Sequence, residues 1–258
     1  MLSEDPNTGA GSARALDGAG AVLSLLQARG TRYACFTNGT GQRPASVAAK
    51  LRGLGLDVRD SEMLTPASVA AEYLSATLPG EPILAFGTDG LFEPLASAGV
   101  HLASLEEASA ARAVLIGADP EFNYAKLTAA CRAVWAGAPL LVTSMAASFA
   151  SSGGRLPSTS GAIAAGIRHV TGAEPIVVGK PSGLVLDMAA RVLGCEVSQL
   201  AVVGDDVRLE IGMARAAGAT GVLVLSGTSR AEDVAATPAE ARPTLVVRVI
   251  GDLLEHLR

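Results

Sequence analysis

Leu200-Ala-Val-Val-Gly-Asp-Asp206 sets four apolar residues ahead of a glycine and two carboxylates. A run this short and this apolar is strand-sized, with the start of a helix beyond it. In open parallel sheets ligands gather past the carboxyl ends of the strands, so this acidic turn lies where a hard cation such as Mg²⁺ can be held. Taken alone it is equally a helix cap.

Runs of the same size recur at Tyr33-Ala-Cys-Phe36, Pro82-Ile-Leu-Ala-Phe86, Ala113-Val-Leu-Ile116, Pro139-Leu-Leu-Val142, Pro175-Ile-Val-Val178 and Gly221-Val-Leu-Val-Leu225. Segments with apolar residues at helical spacing lie between them, such as Val47/Leu51/Leu54, Leu127/Ala130/Val134 and Leu184/Met188/Val192. Strands alternating with helices predict an α/β protein with parallel sheets. Two more strand-end turns are polar. Thr37-Asn38-Gly39 offers a hydroxyl, an amide and a close backbone approach ahead of a helix near Pro44, and helix N-termini favour anions. Gly179-Lys180-Pro181 offers a cation that can hold a phosphate, although a lone loop lysine is also an ordinary surface residue; Pro181 suits the first turn of a helix. Residues 80–175 repeat the strand-helix pattern with fewer polar turns and read as an inserted second domain. Within them, Ser148-Phe-Ala-Ser-Ser-Gly-Gly-Arg155 reads as a flexible loop. Asp89-Gly90 and Asp119 read as surface turns.

With 49% hydrophobic residues over 258 positions, the chain can bury a large core. Its net charge of -5, with no basic block, argues against nucleic-acid binding. The acidic start is unlike a signal peptide, and no apolar run reaches the roughly 20 residues of a membrane helix, so a cytoplasmic setting without membrane contact is expected. Cys35, Cys131 and Cys195 are far apart and set in apolar segments, which predicts buried free thiols. His101, His169 and His256 are scattered and predict no histidine chemistry. No Gly-x-Gly-x-x-Gly follows a strand, which argues against a nucleotide-dependent dehydrogenase.

In order along the chain, Phe36-Thr-Asn-Gly39, Val177-Val-Gly-Lys-Pro-Ser182 and Val202-Val-Gly-Asp-Asp-Val-Arg-Leu-Glu-Ile211 resemble the second, third and fourth motifs of the class IIA haloacid dehalogenase-like phosphatases, the NagD-like and nitrophenylphosphatase-like branch. Ala113-Val-Leu-Ile-Gly-Ala-Asp-Pro-Glu-Phe-Asn-Tyr-Ala-Lys-Leu127 is similar to the segment that enters that family's cap. The resemblance implies a Rossmann-like core, residues 1–79 and 176–258, with an inserted α/β cap of the C2 type, residues 80–175. It also implies Mg²⁺ and hydrolysis of a small phosphorylated metabolite through an aspartyl-phosphate. Thr37, Asn38 and Gly39 would bind phosphate, Lys180 would neutralise nucleophile and phosphate, and Asp205 would ligate the metal. A homodimer through the cap is implied as well, with Trp135 expected to be buried in the cap.

The family's first motif is an apolar strand running into Asp-x-Asp, the first carboxylate attacking phosphorus and the second moving protons. Counting back from Leu16-Asp-Gly-Ala19, Ser3 falls at the nucleophile and Asp5 at the acid/base. Only Met1 and Leu2 precede them, so these residues are not expected to build the family's central first strand. The fourth motif carries Glu210 in place of the usual Asp, and Thr143-Ser-Met-Ala146 replaces a more polar Thr-Asn-x-Asp stretch in the cap. Two functions remain: a phosphatase, or a catalytically inactive relative that binds a phosphorylated ligand or a protein partner.

Overall fold

A computed structural model of the chain describes residues 2–4, 13–151 and 154–257. The strands are β1 (Leu2–Glu4), β2 (Ala13–Ala15), β3 (Cys35–Phe36), β4 (Met63–Leu64), β5 (Ile83–Phe86), β6 (Ala113–Ile116), β7 (Leu140–Val142), β8 (Ser148–Ser151), β9 (Gly154–Pro157), β10 (Ile176–Val177), β11 (Ala201–Gly204), β12 (Thr220–Val224) and β13 (Leu245–Val247). The helices are α1 (Ala19–Ala28), α2 (Pro44–Gly53), α3 (Pro66–Thr77), α4 (Asp89–Ser97), α5 (Tyr124–Trp135), α6 (Thr159–Thr171), α7 (Gly183–Leu193), α8 (Gly212–Ala216), α9 (Ala231–Ala236) and α10 (Leu253–His256). The fold is α/β with parallel sheets, as the alternation of runs predicts.

By their contacts the residues divide into two compact units: Met1–Cys35, Val47–Met63 and Lys180–Arg258 in the first, Phe36–Ser46 and Leu64–Gly179 in the second. Residues 36–46 and 64–79 thus group with the middle of the chain. The two-stranded β3–β4 sheet is cut by this division, since Cys35 and Met63 fall in the first unit and Phe36 and Leu64 in the second.

The second unit is built on the parallel sheet β10-β7-β6-β5. Every residue of β6 is buried, which is why its sequence is continuously apolar instead of alternating. Leu84, Val114, Ile116, Leu140 and Val142 share one core with Ala130 and Ala133 of α5 and Ile167 of α6. Burying a side chain such as Ile116 contributes about 1.5–3 kcal/mol. Asn123 fixes the start of α5 by accepting from the N–H groups of Ala125 and Lys126, and Gly172, in the left-handed region, ends α6. The Ser148–Arg155 segment is not an irregular loop: β8 and β9 form an antiparallel hairpin with Phe149 opposite Leu156. Serine and glycine dominate its composition and hide that cross-strand pair.

In the first unit β11-β12-β13 form a parallel sheet. Val222, Val224 and Val247 pack with Val22 and Leu23 of α1, Leu51 of α2 and Leu253 of α10. β1 and β2 form a two-stranded antiparallel ladder with Ser3 opposite Arg14. Among the described residues β11 has one hydrogen-bonded neighbour, β12, and Val203 on it is 42% exposed. Pro181 does not lie in the first turn of a helix: α7 starts at Gly183, with Ser182 accepting from the N–H of Leu184, and Lys180–Pro181 is a cis peptide ahead of it.

Candidate functional site

The Thr37–Arg43 loop, in the second unit, is fixed by short polar contacts. The Thr37 N–H donates to Leu64 O at 3.3 Å, and Thr37 Oγ1 accepts from the Gly39 N–H at 3.3 Å, a hydroxyl turn that sequence alone favours. Buried Thr40 accepts from the Ala118 N–H at 3.2 Å, and Thr88 donates to Thr40 O at 3.2 Å. Arg43 pairs with Asp89 at 2.8 Å. Gly90 allows the close approach, since a Cβ there would stand 2.4 Å from Thr40 O and 2.5 Å from Gln42 O. Thr40, Thr88 and Ala118 thereby hold the loop at the carboxyl ends of β5 and β6, with Thr37 and Asn38 half-buried and Gly39 exposed. Asn38 Oδ1 and Thr143 O lie 2.8 and 2.2 Å from the position a Cβ on Gly179 would take, so only glycine fits beside them.

In the first unit, Asp205 follows β11. Its Oδ2 accepts from the N–H and the hydroxyl of Thr228 at 2.8 and 2.9 Å, and its carbonyl accepts from the Ser229 N–H at 2.9 Å. A Cβ on Gly227 would stand 2.1 Å from Oδ2, so glycine permits that turn. Asp206 caps the next turn by accepting from the N–H groups of Arg208 and Leu209. Residues Val207–Ile211 make a wide, π-type turn. It brings Glu210 back over Gly204, where its Oε1 pairs with Lys180 and its Oε2 accepts from the Asp206 N–H at 3.0 Å. Both side chains of that pair are largely buried, at 16% exposure for Lys180 and 10% for Glu210.

The structure therefore places Thr37, Asn38 and Gly39 in the second unit and Lys180 and Asp205 in the first; Asp5 lies outside the described residues. Asp119 is no surface turn: it is 4% exposed, pairs with Lys126 at 2.7 Å and accepts from the Glu121 N–H. Trp135 is 63% exposed instead of buried, because it ends α5 on the side away from the core. Cys35 and Cys131 are buried free thiols, while Cys195 is only partly covered. Burial pushes the Cys35 thiol up to about 12. The three histidines are exposed. Sequence alone does not single out Thr228; its available signal is a serine- and threonine-rich turn directly after β12.

For a metal, Asp205 offers a carboxylate with one oxygen fixed by Thr228 and the other without a partner among the described residues. Those residues contain no group of three or more potential ligands. Mg²⁺ commonly takes one or two protein carboxylates and completes its shell with water and phosphate, so Asp205 fits it.

The chain matches the family model of haloacid dehalogenase-like hydrolases over residues 11–101 and that of HAD-hydrolase-like proteins over residues 177–253. It is 32% identical to an acid sugar phosphatase of Staphylococcus aureus over 219 residues, 85% of this chain and 83% of that one. Among solved structures it is similar to a hypothetical protein of Pyrococcus horikoshii, 29% identical with a TM-score of 0.87, covering 95% of this chain and 94% of the other. It is also similar to the p-nitrophenyl phosphatase of Archaeoglobus fulgidus, 27% identical with a TM-score of 0.82, covering 92% and 90%. Joined to the ordered Thr-Asn-Gly, Gly-Lys-Pro and Gly-Asp-Asp turns, these matches establish that the chain belongs to the haloacid dehalogenase-like hydrolase family, on the side of its phosphatases.

Proposed function

We propose that the protein is a Mg²⁺-dependent phosphatase of a small phosphorylated metabolite. The observation that carries this is Asp205, whose one oxygen is locked by two donors of Thr228 while the other is left for a cation. Bound there, Mg²⁺ would supply charge to offset that of the phosphoryl group. Thr37 and Asn38 would donate to phosphoryl oxygens from a loop whose bracing fixes it in advance, and Gly39 would admit the phosphate to the backbone. Lys180 would neutralise charge, and Asp5 would pass a proton to the leaving oxygen. The core of residues 1–79 and 176–258 and the cap of residues 80–175 remain part of this reading, as do a cytoplasmic setting and a small-molecule partner in place of nucleic acid or membrane. The described residues include no helix long and apolar enough to cross a membrane. A homodimer through the cap is supported by Tyr124 and Trp135, exposed at the two ends of α5.

One observation favours a second reading, an inactive relative that binds a phosphorylated ligand or a protein partner. Glu210 pairs with Lys180 within the chain, and by the motif resemblance Ser3 falls where a carboxylate would form the aspartyl-phosphate. Hydrolysis of p-nitrophenyl phosphate and a panel of metabolite phosphates, with and without Mg²⁺ and beside Asp205→Ala, separates the two. Mg²⁺-dependent release of phosphate that vanishes in the variant supports the enzyme. A folded protein with no release sinks it.

A further inference from the structure

A cavity of about 530 Å³ lies within the first unit, between the wide turn Val207–Ile211 and the stretch from Thr228 to Ala241 that carries α9. Its volume is that of a small-molecule site, and the chemistry above uses none of its space. Asp206 and Asp233 line it, each with one carboxylate oxygen already engaged. Oδ1 of Asp206 accepts from the N–H groups of Arg208 and Leu209, and Oδ2 of Asp233 accepts from the Arg230 N–H at 2.8 Å. Their second oxygens have no partner among the described residues, and neither does the guanidinium of Arg208, which lines the same space. Ala236 and Pro238 supply an apolar side. A purely cationic ligand would bring a like charge to Arg208, and a purely anionic one would meet two carboxylates. A free α-amino acid with a bulky aliphatic side chain satisfies the whole lining: its ammonium suits the open carboxylate oxygens, its carboxylate the guanidinium, and its side chain the apolar wall.

The cavity shares its walls with the clamp on Asp205. Thr228 lines it, and the N–H and hydroxyl of Thr228 are what lock Asp205 Oδ2. Buried Ser229 lines it as well. The Ser229 N–H donates to the Asp205 carbonyl at 2.9 Å, while its Oγ accepts from the Val207 N–H at 2.9 Å and so ties the two walls together. An occupant packed against both walls restricts the movement that would release Asp205 from its donors. A carboxylate held still in advance binds a cation with less ordering cost, and such coupling between two sites is reciprocal.

We propose that this cavity is an effector site for a free α-amino acid with a bulky aliphatic side chain, and that its occupation tightens Mg²⁺ binding at Asp205. The coupling rests on the reading that Asp205 holds Mg²⁺; the amino-acid site does not. Binding calorimetry on the full chain tests both without requiring turnover. The probes are L-leucine, isoamylamine, which is leucine without its carboxylate, and isocaproate, which is leucine without its ammonium. Leucine binds, and each single-charge analogue binds at least about tenfold more weakly. Asp233→Asn, which keeps an acceptor for the Arg230 N–H, and Arg208→Gln each weaken leucine binding about tenfold. Ala236→Leu fills the space without touching a charge and weakens it as much. Circular dichroism checks that the variants fold, and the analogue comparison on the native chain decides the matter if one does not. Leucine raises the affinity for Mg²⁺ about fivefold, and Mg²⁺ raises that for leucine by the same factor. No binding of leucine, or equally tight binding of either analogue, overturns the site. Leucine that binds and leaves Mg²⁺ affinity unchanged overturns its role as effector. A folded protein that binds leucine but no Mg²⁺ sinks the reading of Asp205 and the coupling with it, while the amino-acid site stands.

Discussion

Replacing Glu210 by Gln keeps the shape of the side chain and removes its charge. In the native protein Glu210 serves Lys180 through one oxygen and the Asp206 N–H through the other, and both members of the ion pair are mostly shielded from water. The amide keeps one acceptor and turns the other into a donor, so one of the two bonds is lost. A charge-assisted bond in such a setting contributes about 1.5–3 kcal/mol. Glu210→Gln is therefore expected to destabilise the first unit by about 2 kcal/mol, which lowers its melting temperature by roughly 4–8 °C for a chain of this size. Urea unfolding, read by circular dichroism, measures the change. Arg208→Gln, at an exposed position two residues away, is the control and shifts stability by less than about 0.5 kcal/mol. Gly204→Ala attacks the same contact from the backbone side, because its Cβ would lie 2.4 Å from Cβ and Cγ of Glu210. If Glu210→Gln behaves like the control, the pair is a solvated surface contact and the account of the turn after β11 is wrong.

Gly90→Ala drives a methyl group into the carbonyls of Thr40 and Gln42; it is expected to cost about 2–3 kcal/mol in the second unit and to weaken inorganic phosphate binding by an order of magnitude or more, measured by thermal melting and calorimetry. Unchanged phosphate affinity in a folded variant would show that the bracing of the loop does not matter. For Cys35, burial holds the thiol protonated in the folded chain up to about pH 12, whereas the unfolded thiol ionises near the ordinary cysteine value of 9.0. The raised value means that this contribution to stability is fully present below pH 9 and is lost as pH climbs toward 12, so the wild type weakens relative to Cys35→Ala across that window. At pH 8 a thiolate-selective reagent labels Cys195 first and reaches Cys35 only on unfolding; rapid labelling of Cys35 in the native protein contradicts its burial.

The runs that became β6 and β7 were legible because those strands are buried throughout, which leaves an unbroken apolar signature, whereas the Leu200–Val203 run was legible from its apolar composition although β11 is only partly covered. β4 and β13 were not, since Met63-Leu64 is only two residues long and Leu245–Val247 is a partly exposed edge strand. The hairpin was masked by serine and glycine, whose local preferences favour turns until Phe149 and Leu156 are set opposite each other. Asp119 was misread because its partner Lys126 lies a helix turn beyond Asn123, and a buried ion pair leaves no periodic mark. At the candidate site the strand-end turns could be read, but their supports could not. Thr228 is 23 residues from Asp205, and Thr88 and Gly90 are roughly fifty from the loop they brace.

The division of the chain also sets an order of manufacture. Ribosomes deliver the N-terminus first, so every residue of the second unit has been made once Gly179 is added. The first unit must still wait for Lys180–Arg258, which bring β11, β12 and β13. Until then Val22, Leu23 and Leu51, made early, have no sheet to cover, because Val222, Val224 and Val247 have yet to be synthesised. Nascent chains that hold out apolar helix faces in this way are what chaperones recognise and what aggregates when they are absent. The unit whose helices α1 and α2 are made early is thus the last to close, and it is there that a growing cell meets the hazard of producing it.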